Sequence, residues 1–442
     1  MATTTAQTIP PAPPTTQGRG EIRSLTGLRA VAATWVVLFH FRSLLTPYLD
    51  QLPFVRPLLD AGWIGVELFF VLSGFVIARR YLDEVGARPT PAVVGRFLWN
   101  RVARVWPAWA VLTVIMGGCI WTLRATGRDA DVLAAHPDAD VVTMLRQLSM
   151  TQMWGEDDLI GASYLTPGWS ISAEWLAYLA FPLLAVLFRR LRRLHPCVNF
   201  ALAHVAIAPL VVISYRTGPL DSAQNWLLRI ACAFTAGMLL ALALRDLRTS
   251  SLLRAWAARL SWATPLFVVL VCAWATWRAG GDPEVDFHGV AVVVFPTLIA
   301  ALAVTDRGAA AWLARPALVY GGRISYCLYL VHFAVLEMVL TVAWQRPESR
   351  FQLTPGLALL MPLLILVAFG LSAVLHHAVE EPCQRLLVSA PRRFARRVAQ
   401  GHGSRRAGRS PESRTIIPVT RDAATERFVP SPAMSGGPAT RR

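Results

Sequence analysis

In the segment EIRSLTGLRAVAATWVVLFHF, Arg29 and His40 stand eleven residues apart on a strongly apolar stretch. At about 100° per residue these eleven steps make three turns plus ~20°, so one helix face carries both side chains, roughly 16 Å apart. Ionisable side chains are expensive within a membrane, and a site is the default reading of such a pair. It sets a permanent cation near one surface and a titratable imidazole deeper in. An interfacial arginine and a helix-packing histidine satisfy the same spacing, so the face alone leaves both readings open.

Other ionisable residues recur in apolar surroundings. Glu67 lies in GWIGVELFFVLSGF, with Ser73 six residues on; RFLWNRVARVWPAW sets Arg101 and Arg104 three apart, on one helix face. Guanidinium groups make bidentate contacts with phosphate, so this RxxR suits a phosphorylated ligand, although it also suits lipid headgroups. Glu174 falls in TPGWSISAEWLAYLAFP, His332 in GRISYCLYLVHF beside Tyr326 and Tyr329, and His376, His377, Glu380 and Glu381 in HHAVEEP. Ser73, Glu174, Tyr329 and His332 are therefore candidate pocket residues.

The elements that must position these groups are membrane helices. The 442 residues are 55% hydrophobic with 16 Trp, far more apolar length than one soluble core uses. All 43 basic residues are Arg, which suggests a GC-rich bacterial genome, and the net charge of +16 is best read by position. Six Cys (119, 197, 232, 272, 327, 383) are scattered singly with no CxxC, as small apolar packing residues; neither disulfide nor metal is expected. Residues 1–20 form a Pro/Thr tail with no signal-peptide pattern, and 391–442 form an Arg-rich polar tail that reads as disordered.

Between the tails, 21–390 reads as one membrane domain. Apolar runs near 25–43, 62–80, 104–122, 165–188, 198–215, 226–244, 260–277, 288–305, 323–344 and 356–379 match the ~20 residues that cross a bilayer. The fold class is all-α, a polytopic membrane protein with about ten transmembrane helices. With the N-terminus inside, four internal loops hold 17 Arg against 9 outside, so both termini are expected in the cytosol of a bacterial plasma-membrane protein. The external side takes most loop acids, including Asp157, Asp158, Asp282 and Glu284, and the long 122–163 connection reads as a solvated cap. This orientation sets Arg29 at the cytosolic level of Arg101 and Arg104, and brings His40 and Glu67 to matching depth in the outer half. A carboxylate beside an imidazole fixes its tautomer and raises its basicity, which suits proton removal from a hydroxyl; a structural clasp between helices is the other reading.

Taken together, LTGLRAVAATWVVLFH, GVELFFVLSGF, RVARVWP, GWSISAEW, GRISYCLYLVH and VEEP, in this order over roughly 21–390, resemble the acyltransferase-3 family of membrane O-acyltransferases. Each string alone is weak, and their order and spacing carry the match. The resemblance implies transfer of an acyl group from acyl-coenzyme A, a co-substrate with no bound cofactor, to an acceptor hydroxyl. It implicates Arg29 and His40 in catalysis and Arg101 and Arg104 in handling the donor. Glu67 stands where many members have Asp before LFF. Many members also carry a C-terminal esterase-like domain; no GDS-type serine motif follows here, so direct transfer is expected.

The expected enzyme docks acyl-coenzyme A from the cytosol, while His40, oriented by Glu67, activates the hydroxyl. The acceptor reads as a macrolide-like natural product or its sugar, with a cell-envelope glycan as the alternative. Nothing points to nucleic acid, and the oligomeric state is not legible. A proton-coupled transporter is the rival of another class, although no internal repeat of the transporter kind is visible. A purely structural scaffold leaves the matched depths unexplained.

Overall fold

The computed structural model describes residues 20–127, 136–156, 161–218, 225–280, 282, 285–344 and 353–390. Both expected tails therefore fall outside the described residues, as do Asp157, Asp158 and Glu284. Among the described residues there is helix and no strand. The long elements are α1 (Arg23–Phe41), α2 (Gly65–Ala87), α3 (Pro91–Ala125), α4 (Trp169–Phe188), α5 (Pro196–Thr217), α6 (Asn225–Leu244) and α7 (Ser251–Ala279). They are followed by α8 (Phe295–Val304), α9 (Pro316–Ala343) and α10 (Pro355–Leu375), the last continuing as a π-helical turn, His376–Glu380.

Local chemistry sets the boundaries. Pro91, Pro316 and Pro355 stand at helix starts, where a missing N–H costs nothing, and the hydroxyls of Thr90, Ser250 and Thr354 cap α3, α7 and α10. Gly280 closes α7 in the left-handed region at φ 63°. Nine of the described helices are long and apolar enough to cross a membrane, and the tenth expected span is different. There a seven-residue 3₁₀ stretch, His288–Val294, precedes the ten residues of α8. Valine crowding in HGVAVVV and Pro296, which has no N–H, disfavour α-helix at this point. The stretched turns still give the 17 residues a length of about 29 Å, close to a hydrocarbon core of ~30 Å.

Helices α2 and α6 form the interior. A Cβ on Gly74 would collide with the Phe234 carbonyl, and one on Gly237 with the Val71 carbonyl, so glycine on both sides permits backbone contact. Outward residues on α5, α7 and α10, among them Val205, Leu266, Leu270, Leu363 and Leu366, are exposed apolar side chains, as lipid contact requires. The described chain ends meet at one end of the bundle. There Arg79 donates to the Gly20 carbonyl at 3.2 Å, Arg323 pairs with Glu21 at 3.1 Å, and Trp99 donates to the Leu387 carbonyl at 2.9 Å.

Charge placed inside the bundle is paired. Glu67 on α2 and Arg229 on α6 form an ion pair whose side chains are 0% and 4% exposed, and the guanidinium lies against the rings of Trp169 and Trp63 at 4.5 and 5.2 Å. The described part of the 122–163 connection, expected as a solvated cap, is so only in part: Val141, Val142 and Leu145 are exposed, while other residues enter the bundle. Gln147 and His136 are buried, Trp109 donates to the Gln147 carbonyl at 2.6 Å, and Arg124 donates to the His136 carbonyl at 2.8 Å. His136 Nδ1 bonds the Ser163 carbonyl at 3.0 Å, and its Nε2 pairs with the buried Glu337 of α9. Burial opposes the charge on His136, but the hydrogen bond and charge of Glu337 outweigh it and raise the imidazole above its usual 6.5.

Two measurements follow from these pairs. Glu67→Ala leaves Arg229 uncompensated and should cost about 3–5 kcal/mol, whereas Glu67→Leu with Arg229→Met should recover most of it. Thermal unfolding in detergent reads the difference; a neutral Glu67→Ala would show that the pair holds nothing. For His136 the folded pKa lies above the unfolded one, so its contribution is fully present below about pH 6.5 and is lost as pH rises through the raised value. The stability gap between wild type and His136→Gln should therefore shrink toward alkaline pH, and a gap that grows would contradict the pairing.

Candidate active site

A cavity of about 410 Å³ opens at the end of the bundle where the chain ends meet and runs inward between α1, α2, α3, α4 and α9. Arginine crowds its mouth: Arg79, Arg80, Arg101 and Arg104 all line it, with Glu21. Burial acts to raise the Glu21 carboxyl, but hydrogen bonds from Arg323 and Thr26 and the nearby cations hold it below its usual 4.5. The expected RxxR thus reaches a cavity. Arg101 donates to the Tyr81 hydroxyl at 3.3 Å and lies over the Tyr81 ring, while its buried Nε has no partner. Arg104 has a partner that spacing did not reveal, the fully buried carboxylate of Glu380.

That carboxylate also accepts from Cys327 Sγ at 3.0 Å and from His376 Nδ1 at 2.7 Å. The π turn His376–Glu380 brings the His376 and Glu380 side chains together, and Cys327 reaches them from α9. Cys327, expected as apolar filler, is thus a thiol donor. Cys327, His376 and Glu380 present a thiol, an imidazole and a carboxylate within 4.8 Å, a set able to ligate a metal; here the carboxylate oxygens serve Arg104, Cys327 and His376.

Halfway along the cavity, Arg29 projects from α1, its Nε 3.3 Å from Ser325 Oγ and its guanidinium 5.8 Å from the centre of the Phe69 ring. Ser73 donates to Glu174 Oε1 at 2.5 Å, and both line the wall with Tyr178 and Tyr326, whose hydroxyl donates to the Val105 carbonyl at 2.7 Å. At the inner limit stand Val66, Phe69, Phe70, Ser170 and Tyr329. Ser73, Glu174 and Tyr329 thus line the cavity, while His332 lies beyond them.

His332 is fully buried, and its Nε2 lies 3.1 Å from His40 Nδ1. Hydrogen-bond chemistry fixes both rings. His332 Nδ1 faces the Leu328 carbonyl at 2.9 Å, an acceptor, so Nδ1 carries the hydrogen and Nε2 keeps its lone pair. His40 Nδ1 faces two acceptors, that lone pair and the Val36 carbonyl at 2.9 Å, and must also carry hydrogen. The lone pair of His40 is therefore on Nε2. Phe39 and Phe333 pack edge-on around this ring, with centroids 5.1 and 5.2 Å away.

The structure thus separates the two residues that matching depth had set together. Glu67 is bonded to Arg229, and the side chain that bonds His40 is His332. Depth along the normal says nothing about the angle around a helix, and α6 takes the carboxylate face of α2. Arg229 and Glu337 were missed although each interrupts an apolar run, the signal that singled out Glu174. His136 lay in a connection read as surface, with no pattern to mark it.

Comparison with known proteins accords with this geometry. Residues 22–377 match the acyltransferase domain model Acyl_transf_3. Acyltransferase MdmB of Streptomyces mycarofaciens is 30% identical over 400 residues, 82% of this chain and 92% of that protein. SACOL0978 of Staphylococcus aureus strain COL, which carries an O-acetyltransferase designation, is 23% identical over 340 residues; the match takes 72% of this chain and 51% of that longer protein. Nodulation protein 10 of Rhizobium leguminosarum bv. viciae is 24% identical over 290 residues, 63% of this chain and 73% of the relative. No solved structure matches. With the match running through most of an all-helical bundle built from membrane-length helices, the chain belongs to the Acyl_transf_3 family of membrane acyltransferases.

Proposed function

We propose that this protein transfers an acyl group from acyl-coenzyme A to the hydroxyl of an acceptor, with the arginine-rich mouth of the cavity facing the cytosol of a bacterial cell. The observation that carries the reading is one axis along the bundle, with cations at the mouth, a polar-walled cavity behind them and a tautomer-fixed histidine pair past its inner end. Arg101 and Arg104 hold the donor phosphates, and the Glu380 carboxylate fixes where Arg104 stands. The pantetheine arm extends along Arg29, Ser73 and Glu174, which offer a donor and acceptors to its amides.

His40 Nε2 takes the proton of the acceptor hydroxyl as its oxygen attacks the thioester carbonyl carbon. The C–S bond then breaks, and the coenzyme A sulfur leaves with the proton returned from His40. His332 holds the ring in the tautomer that leaves Nε2 basic, the task first given to Glu67, and Glu67 acts through helix packing. The acceptor we propose is a macrolide-like natural product or its sugar, with an envelope glycan as the second reading; the Streptomyces and staphylococcal relatives support acyl and O-acetyl transfer as the reaction.

Acetyl-coenzyme A and a panel of macrolides and glycosides, with free thiol as the readout, test the reading on purified protein. His40→Ala should lower turnover by about 10²–10⁴, and near-normal turnover in a folded variant would remove His40 from the mechanism. Arg101→Ala and Arg104→Ala each delete a charge-assisted contact of about 1.5–3 kcal/mol, so each should raise KM for the donor tenfold or more with a smaller change in kcat. An unchanged donor KM in both would place the phosphates elsewhere.

A further inference from the structure

The histidine pair is not part of the cavity wall. Every residue at the inner limit is apolar, hydroxylic or aromatic, and two of its rings, Phe69 and Tyr329, stand side by side in the wall, Tyr329 toward the imidazoles. Arg29, inside the cavity, lies 5.8 Å from the Phe69 ring; Phe69 meets Tyr329 edge-on with centroids 6.4 Å apart; Tyr329 is 5.9 Å from His332, and His332 is 5.0 Å from His40.

The two rings are held differently. The Tyr329 hydroxyl bonds the Pro167 carbonyl at 2.9 Å, on the 3₁₀ turn that leads into α4, and Ser170 Oγ at 2.7 Å, in the first turn of α4, so the ring cannot swing without losing two buried hydrogen bonds. Phe69 has no polar tether, is half-buried, and packs at the seam of the two apolar clusters of the bundle, one around α2 and α6 and one around α1, α9 and α10. Rotating it breaks no hydrogen bond, only dispersion, the edge contact with Tyr329 and the Arg29 guanidinium contact.

A base strong enough to activate a hydroxyl does not distinguish an acceptor from water. With water, the oxygen attacks the thioester carbonyl, the C–S bond breaks, coenzyme A leaves as the thiol with the proton returned from His40, and a free carboxylic acid results. Donor and base in open contact would lose acyl groups this way whenever the acceptor is absent. We propose that Phe69, backed by the latched Tyr329, is an aromatic partition that keeps the donor thioester from His40 until the acceptor is seated, and so favours transfer over hydrolysis. Phe69 is the moving leaf and Tyr329 the fixed one. This rests on the acyl-coenzyme A reading above.

The test is thiol release from acetyl-coenzyme A by the purified full-length protein with no acceptor added, alongside coenzyme A binding measured by calorimetry. Wild type should release thiol slowly. Phe69→Ala should release it at least tenfold faster with coenzyme A affinity within a few-fold of wild type, and Phe69→Leu, which keeps most of the apolar volume, should fall between. Tyr329→Phe, which removes the latch and keeps the ring, should give a smaller rise. Adding His40→Ala to Phe69→Ala should return release to the wild-type rate. The partition is overturned if Phe69→Ala and Phe69→Leu bind coenzyme A and hydrolyse no faster than wild type, or if the excess hydrolysis survives loss of His40. Absence of coenzyme A binding in wild type itself would instead overturn the donor reading beneath it.

Discussion

A charge inside a lipid-surrounded bundle has no bulk water to solvate it, so it survives only against a counter-charge, a set of hydrogen bonds or a cavity. That constraint organises this molecule. Arg229 takes Glu67, Glu380 gathers Arg104, Cys327 and His376, and Glu337 receives His136. Apart from the His376–Glu380 contact within one turn, each of these crosses between elements distant in sequence, so satisfying the charge also fixes which helices touch. The glycine-lined contact of α2 and α6 brings the backbones close enough for the Glu67 pairing to form within it.

The groups left to face the cavity are the ones a ligand would meet. Arg29, Arg101, Ser73 and Glu174 line a space whose mouth is cationic and whose inner limit is aromatic. Among the described residues the histidines occupy a third environment, bonded to each other and to backbone carbonyls. No carboxylate bonds either ring there, and the hydrogen bonds leave the His40 lone pair on Nε2. The cationic cavity and the histidine pair are thereby separate compartments of one bundle.

Legibility in the sequence followed the range of the interaction. Helix positions were readable because apolar length and proline, serine and threonine at the boundaries are local signals. The exception, 288–304, kept its length and changed its turn geometry, since valine crowding and Pro296 act against a helix that hydropathy alone would draw. Arg101, Arg104, Ser73, Glu174 and Tyr329 were legible as lining residues because each is polar where lipid would forbid it. Glu67 was singled out for the same reason and given the wrong neighbour, because depth matches many helices and rotation selects one. The loop carrying His136 looked solvated, since buried backbone hydrogen bonds leave no trace in composition.

By itself the sequence determined a bundle of membrane-length helices and a membrane acyltransferase family. These are consequences of periodicity, length and the order of short motifs, all carried along one chain. Only the tertiary structure decided that His332 bonds His40, that Glu380 holds Arg104, and that Tyr329 stands between the cavity and His332 with Phe69 beside it. Each of these joins residues from different helices whose rotation about their axes is set by packing with every neighbour at once. No local pattern encodes that rotation, and the hydrogen-bond partner of His40, nearly three hundred residues away, could be found only in three dimensions.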